Sequence, residues 1–288
     1  MTALGVIWSS FRTDLLQHLR HPAIWLVVLL APIAAHYMIP TPGAAYSVLV
    51  INGAAPVLSA DVIGLELGVV VATLLSPIAY IFLRSGATRT RPSAVTDVLG
   101  HSRMAEMMGR WLADTALLWI MLAVLVAAGI ILGVVRLGIG AAKPLDTVLV
   151  AGVIAAPALS MIAAVRTLLT SRPMLHGWFG DLLFFIIWMT GLTVSAATGA
   201  LADAGVLNPF VDVFGYVYPI IASADFPIDA ISIGFTEGVE ETLSFDARSG
   251  SLSSAYLVSR GLWLLAAVAL VLFAGLTYSP VRPSFKSA

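Results

Sequence analysis

The chain has 288 residues, of which 59 % are hydrophobic and 11 % charged. Its mean hydropathy of +0.98 exceeds that of a water-soluble domain, where apolar residues make up roughly 45–50 %. A net charge of −1 excludes the large basic surface that a nucleic-acid partner requires, and the lack of cysteine excludes disulfides, thiolate metal sites and cysteine nucleophiles. At about 20 residues per helical span the length fits six bilayer crossings with loops. The expected class is an all-α polytopic membrane protein, one transmembrane domain over residues 1–288.

From Thr2 to Arg20, Leu4, Ile7, Trp8, Phe11, Leu15 and Leu19 recur at helical spacing opposite Arg12, Asp14, Gln17 and His18. No small-residue cleavage site follows, so the expectation is an amphipathic helix in the membrane interface rather than a signal peptide. Pro22 suits the first turn of a new helix, and Ala23–Ile39 reads as the first span. A loop without Lys or Arg, Pro40–Ala60, leads to the second span at Val62–Leu83.

Next comes a polar loop with five arginines, Arg84, Arg89, Arg91, Arg103 and Arg110, between Leu83 and Trp111. Trp111–Val135 reads as the third span, Val148–Val165 as the fourth and Trp178–Leu201 as the fifth. A long acidic stretch follows, and Gly261–Tyr278 is the sixth. With these spans, eleven basic residues fall on the side of both termini and four, Arg136, Lys143, Arg248 and Arg260, on the other. The excess places the termini and the arginine-rich loop in the cytoplasm; the expected location is the cytoplasmic (inner) membrane.

The external stretch from Asp203 to Ser259 has two characters. Its first half is apolar and aromatic, interrupted by Pro209, Pro219 and Pro227, and reads either as a broken helical hairpin entering the outer leaflet or as a surface loop with aromatic interface residues. Its second half is polar and reads as an exposed cap.

Motifs for catalysis are lacking. The sequence holds no G-x-x-x-x-G-K-[ST], H-E-x-x-H or G-x-S-x-G pattern, and GIGAAKP at Gly138–Pro144 has the wrong spacing. His18, His21, His36, His101 and His176 are scattered and give no shared metal site. No nucleophile, base or metal ligand set aligns, so the chain reads as a non-enzyme with no cofactor of its own. Of the ionisable residues near spans, Asp114 and Asp181 read as first-turn acids that offset a helix dipole. Glu66 reads as an outer-level acid able to pair with Arg260. Pro32, Pro77 and Pro157 mark kinks, either mobile or static and satisfied by a neighbouring helix.

The order of these parts resembles the membrane subunit of a type-2 ABC exporter, an ABC-2-type permease. The matching features are an interfacial helix ending in LRHPAIW (Leu19–Trp25), six spans, a basic loop between spans two and three, the Arg110–Trp111 junction, and Asn208–Pro209 opening a broken hairpin before span six. The resemblance implies a separate cytoplasmic ATPase, in two copies, that binds ATP and Mg. It also implies a second permease subunit, identical or not, with the path between the two. Under it, the loop after span two holds a coupling helix, Pro92–Leu99. Val95, Val98 and Leu99 would face the ATPase, and Arg89 and Arg91 would pair with its acids. Glu66, Arg260, Asn208 and Pro209 are the outer-gate candidates. A related role, serving maturation of an extracytoplasmic metalloenzyme with a periplasmic partner, is one variant. An ion-coupled secondary transporter with Glu66 on the path is the alternative from another class, and a non-transporting membrane scaffold or enzyme is the third.

Overall fold

The computed structural model describes residues 2–41, 43–87, 102–139, 141–175, 177–203, 207–239 and 241–278. It is mostly helical. The longer helices are α1 (Ala3–Leu19), α2 (Pro22–Met38), α3 (Ala60–Thr73), α4 (Ser76–Ala87), α5 (Arg103–Leu137), α6 (Pro144–Thr170), α7 (Trp178–Asp203) and α10 (Ser254–Thr277). Two short ones, α8 (Val217–Ser223) and α9 (Ala247–Ser251), lie between α7 and α10.

Four helices, α5, α6, α7 and α10, are long and apolar enough to cross a membrane, and two bent pairs, α1 with α2 and α3 with α4, bring the number of candidate spans to as many as six. Large apolar side chains stand exposed along α2 (Trp25, Leu29, Ile33), α7 (Phe185, Ile186) and α10 (Leu265, Leu276). Water would penalise these faces, whereas acyl chains accept them. The protein is a multi-pass membrane protein.

The second span departs from its predicted form. Val62–Leu83 was expected as one helix, but α3 ends at Thr73 and α4 leaves at 52°. The cause is Pro77: it has no N–H to give the carbonyl of Thr73, four residues back. That carbonyl is taken instead by Nε1 of Trp188 on α7, at 3.0 Å. Here the kink is satisfied by a neighbouring helix. By contrast α2 and α6 run helically through Pro32 and Pro157.

The third span is also longer than predicted. Helix α5 begins at Arg103 rather than Trp111, capped by Ser102 Oγ on the Ala105 N–H, and its 35 residues measure about 52 Å at 1.5 Å per residue. It therefore outruns a hydrocarbon core of about 30 Å. The surplus turns carry α1: Gly109 lets the backbone of α1 approach so closely that an added Cβ would sit 2.6 Å from the Ile7 carbonyl. Likewise Gly64 and Gly68 seat α3 on α6, where a Cβ at Gly64 would meet the Thr147 carbonyl at 2.7 Å. Small residues of this kind allow close helix contact where no hydrophobic effect drives association.

The all-α expectation needs correction. Within the predicted Pro40–Ala60 loop lies strand β1 (Tyr46–Ile51), antiparallel to β3 (Ile231–Glu237), with Ile51 opposite Ile231. A second small sheet pairs β2 (Ala55–Pro56) in parallel with β4 (Thr242–Leu243). Asn52 (φ 51°) and Gly53 (φ 83°) turn the chain between β1 and β2. The Asn52 side chain then accepts from the N–H groups of Asp229 and Ala230 and donates to the Pro227 carbonyl. The loop after α2 and the acidic stretch before α10 thus form one cap.

Candidate functional site

The basic loop is bounded by α4 and α5, and its central residues lie outside the described ones. Among these are Arg89, Arg91, Pro92, Val95, Val98 and Leu99, so the coupling helix is not described. What the structure does describe is how the flanking helices are fastened.

Asp114 lies three turns into α5, 1 % exposed, and is not the first-turn acid that was expected. The reason is the earlier start of α5. Its carboxylate accepts from Arg166 Nη1 of α6 through Oδ2 and lies 3.0 Å from His18 Nε2 of α1 through Oδ1. Arg166, expected to open a polar linker, is 8 % exposed inside α6, and its second Nη also reaches the Leu83 carbonyl of α4 at 3.4 Å. Four helices therefore meet at one buried ion pair. Around it, Arg110 bonds Glu106 one turn back at 2.5 Å and approaches Asp14 of α1 at 3.9 Å. Trp111 Nε1 donates to the Ser160 carbonyl of α6 at 3.0 Å, tying α5 and α6 beside the hub.

Asp181 does occupy the first turn of its helix, α7, and there it pairs with Arg84 of α4. Tyr80 donates to the same carboxylate at 3.3 Å and stacks on Phe184 with ring centroids 3.7 Å apart. The chain thus enters the loop from an α4 held to α6 and α7, and leaves it into an α5 held to α1 and α6.

At the opposite end the gate candidates are brought together only in part. Arg260 is 3 % exposed in the second turn of α10 and does not pair with Glu66. Its guanidinium instead donates to the carbonyls of Pro209, Asp212 and Val213 and lies over the Tyr256 ring, 5.0 Å from its centroid. Asn208 Oδ1 accepts from the Phe210 N–H at 2.9 Å, starting the turn that Pro209 continues. Asp212 then accepts from the N–H groups of Gly215, Val217 and Tyr218, which sets the entry of α8. Burial pushes the Asp212 carboxyl above the ordinary carboxylate range, opposed by Arg260 and these N–H donors.

Between Leu207 and Ala230 the chain forms this turn and the single short helix α8, so no hairpin of two helices is present. Its middle, residues 214–220, is buried in protein. Val217 and Ile220 share an apolar cluster with Leu49 of β1, Val62 of α3, Ile154 of α6 and Tyr256 of α10. Proline at 209 and 219 and the carbonyl-binding arginine account for the irregular path.

Glu66 stands apart from these residues. It is 2 % exposed on α3, and its Oε2 has no hydrogen-bond partner. Among the described residues, no group of three His, Asp or Glu side chains could hold a metal ion.

The hub was legible in principle. Asp114 and Arg166 are opposite charges set in apolar runs of successive spans, and such charges in membranes face the interior and pair. No family model matches the chain, and comparison with curated proteins and with solved structures finds no match.

Proposed function

We propose that the chain is the membrane-spanning permease subunit of an ATP-driven ABC exporter of the ABC-2 type. On this reading ATP and Mg are bound by a separate ATPase that docks on the loop between α4 and α5. The observation that carries it is the buried Asp114–Arg166–His18 hub, which joins both flanks of that loop to α6 and to the N-terminal helix. A push on the loop then reaches four helices as one body, because breaking the pair would strand a buried charge.

The arrangement has six spans: α2, the broken α3–α4, α5, α6, α7 and α10, with α1 in the interface. Both termini and the basic loop are cytoplasmic, and the β cap with α8 closes the outer side. Two permease copies flank the path. The test is purification of the full chain from its native membrane. An ATPase should co-purify and its ATP turnover should drive transport; movement of substrate down an ion gradient with no ATPase present would overturn the reading. The second reading, an ion-coupled carrier, is favoured by one observation, the buried Glu66.

A further inference from the structure

Helix α1 turns polar residues toward the protein. Ser10, Asp14 and His18 recur every fourth residue on the side that meets α5: a Cβ added at Gly109 would sit 2.7 Å from Ser10 Cβ, Asp14 approaches Arg110 at 3.9 Å, and His18 lies 3.0 Å from Asp114. The side turned away from α5 carries a different repeat. Leu4, Trp8, Arg12, Leu16 and, at the C-cap, Arg20 also follow at four-residue intervals, and all five are exposed, Leu4 at 78 % and Trp8 at 64 %. Residues four apart are neighbours on a helix surface, so these five form one stripe of apolar and cationic side chains.

Neither arginine of the stripe has a side-chain partner among the described residues, and the acids described at this end are engaged with other cations. Asp14 and Glu106 face Arg110, Asp114 holds Arg166 and His18, and Asp181 holds Arg84. The turn from α6 into α7, at the same end, repeats the composition: Arg172 is exposed, with Met174 at 88 % and Trp178 at 74 %. Helix α1 also turns 66° away from α2, so with α2 crossing the bilayer it runs closer to the membrane plane than to the normal. A soluble acidic partner would satisfy the arginines and leave Leu4 and Trp8 in water. A bilayer surface accepts both, because tryptophan settles at the headgroup level and anionic headgroups attract arginine.

We propose that this stripe of α1 is a binding surface for anionic phospholipids, with their headgroup phosphates on Arg12 and Arg20 and with Leu4, Trp8 and Leu16 in the acyl boundary beneath. Arg172 extends the surface on the α6–α7 turn. Since the opposite side of α1 reaches the buried hub through His18, lipid binding fastens that end of the bundle to its leaflet. The proposal needs only a multi-pass membrane protein, so its failure leaves the ATPase reading untouched, and failure of that reading leaves it standing.

Native mass spectrometry of the full-length chain, titrated with phosphatidylglycerol or with phosphatidylcholine of the same acyl chains, tests this directly. Phosphatidylglycerol should bind more tightly. Arg12→Gln combined with Arg20→Gln should lower its affinity about five-fold per arginine, with phosphatidylcholine unaffected, and the corresponding lysine variants should keep the preference. Equal binding of the two lipids by the wild type, or a preference retained in the glutamine double variant, overturns the proposal. Displacement of the phosphatidylglycerol by a soluble polyglutamate peptide at similar concentration would assign the stripe to an acidic protein and overturn it as well.

Discussion

Arg166 on α6 and Asp114 on α5 form an ion pair in which neither side chain is more than 10 % exposed. It lies where α1, α4, α5 and α6 converge beside the basic loop, and His18 completes it. A pair so placed is costly to break and contributes more to alignment than to net stability.

Removing both partners should therefore cost less than the two single losses added together. Asp114→Asn and Arg166→Met are each expected to lower stability by about 3–5 kcal/mol, and the double variant by less than the sum. Thermal unfolding of the four proteins in one detergent measures this; strict additivity would show the two residues to be uncoupled.

The contact of α1 with α5 depends on the lack of a side chain at Gly109. Gly109→Val should displace α1, since the Ile7 backbone lies where the new Cβ must go. His18→Ala should only loosen it, by roughly 1 kcal/mol. Hydrogen exchange over residues 3–19 should rise strongly in the first variant and slightly in the second.

At the end that carries the β cap, Arg260→Met should release the 209–213 turn, because three carbonyls lose their donor at once. A loss of about 2–5 kcal/mol is expected. Protease cleavage between α7 and α10 should increase while the α5–α6 region stays protected.

Kink repair by Trp188 gives a more local expectation. Trp188→Phe leaves the Thr73 carbonyl without its donor and removes part of the ring, with a cost of about 1–3 kcal/mol for the lost hydrogen bond. Pro77→Ala in the same background should recover part of it by supplying the missing N–H. Failure of that rescue would assign the kink to packing.

If an ATPase docks on the basic loop as proposed, Val98→Glu or Leu99→Glu should abolish ATP-driven transport without changing the melting temperature of the spans. Transport at the wild-type rate in both variants would remove the loop from the ATPase contact.

The cap shows where reading by pattern stopped short. Asn52–Gly53 between apolar runs is a strong hairpin signal, and Tyr46–Ile51 is rich in β-branched residues. Both were hidden in a stretch read as loop, because the partner strand β3 lies some 180 residues away. Helix ends were misplaced for a different reason: polar turns that project beyond the bilayer, as in Arg103–Arg110, are still helical.

The sequence by itself determined that this is a helical membrane protein, where its apolar segments lie and which charges share an end, since the bilayer acts on each segment separately through length and hydropathy. Only the tertiary structure decided the partners. Asp114 and Arg166 are 52 residues apart, and Arg260 reaches the carbonyls of Pro209 and Asp212 rather than Glu66. Those choices follow from which helices can approach closely enough to satisfy a buried charge, and that is set by packing at positions such as Gly64 and Gly109.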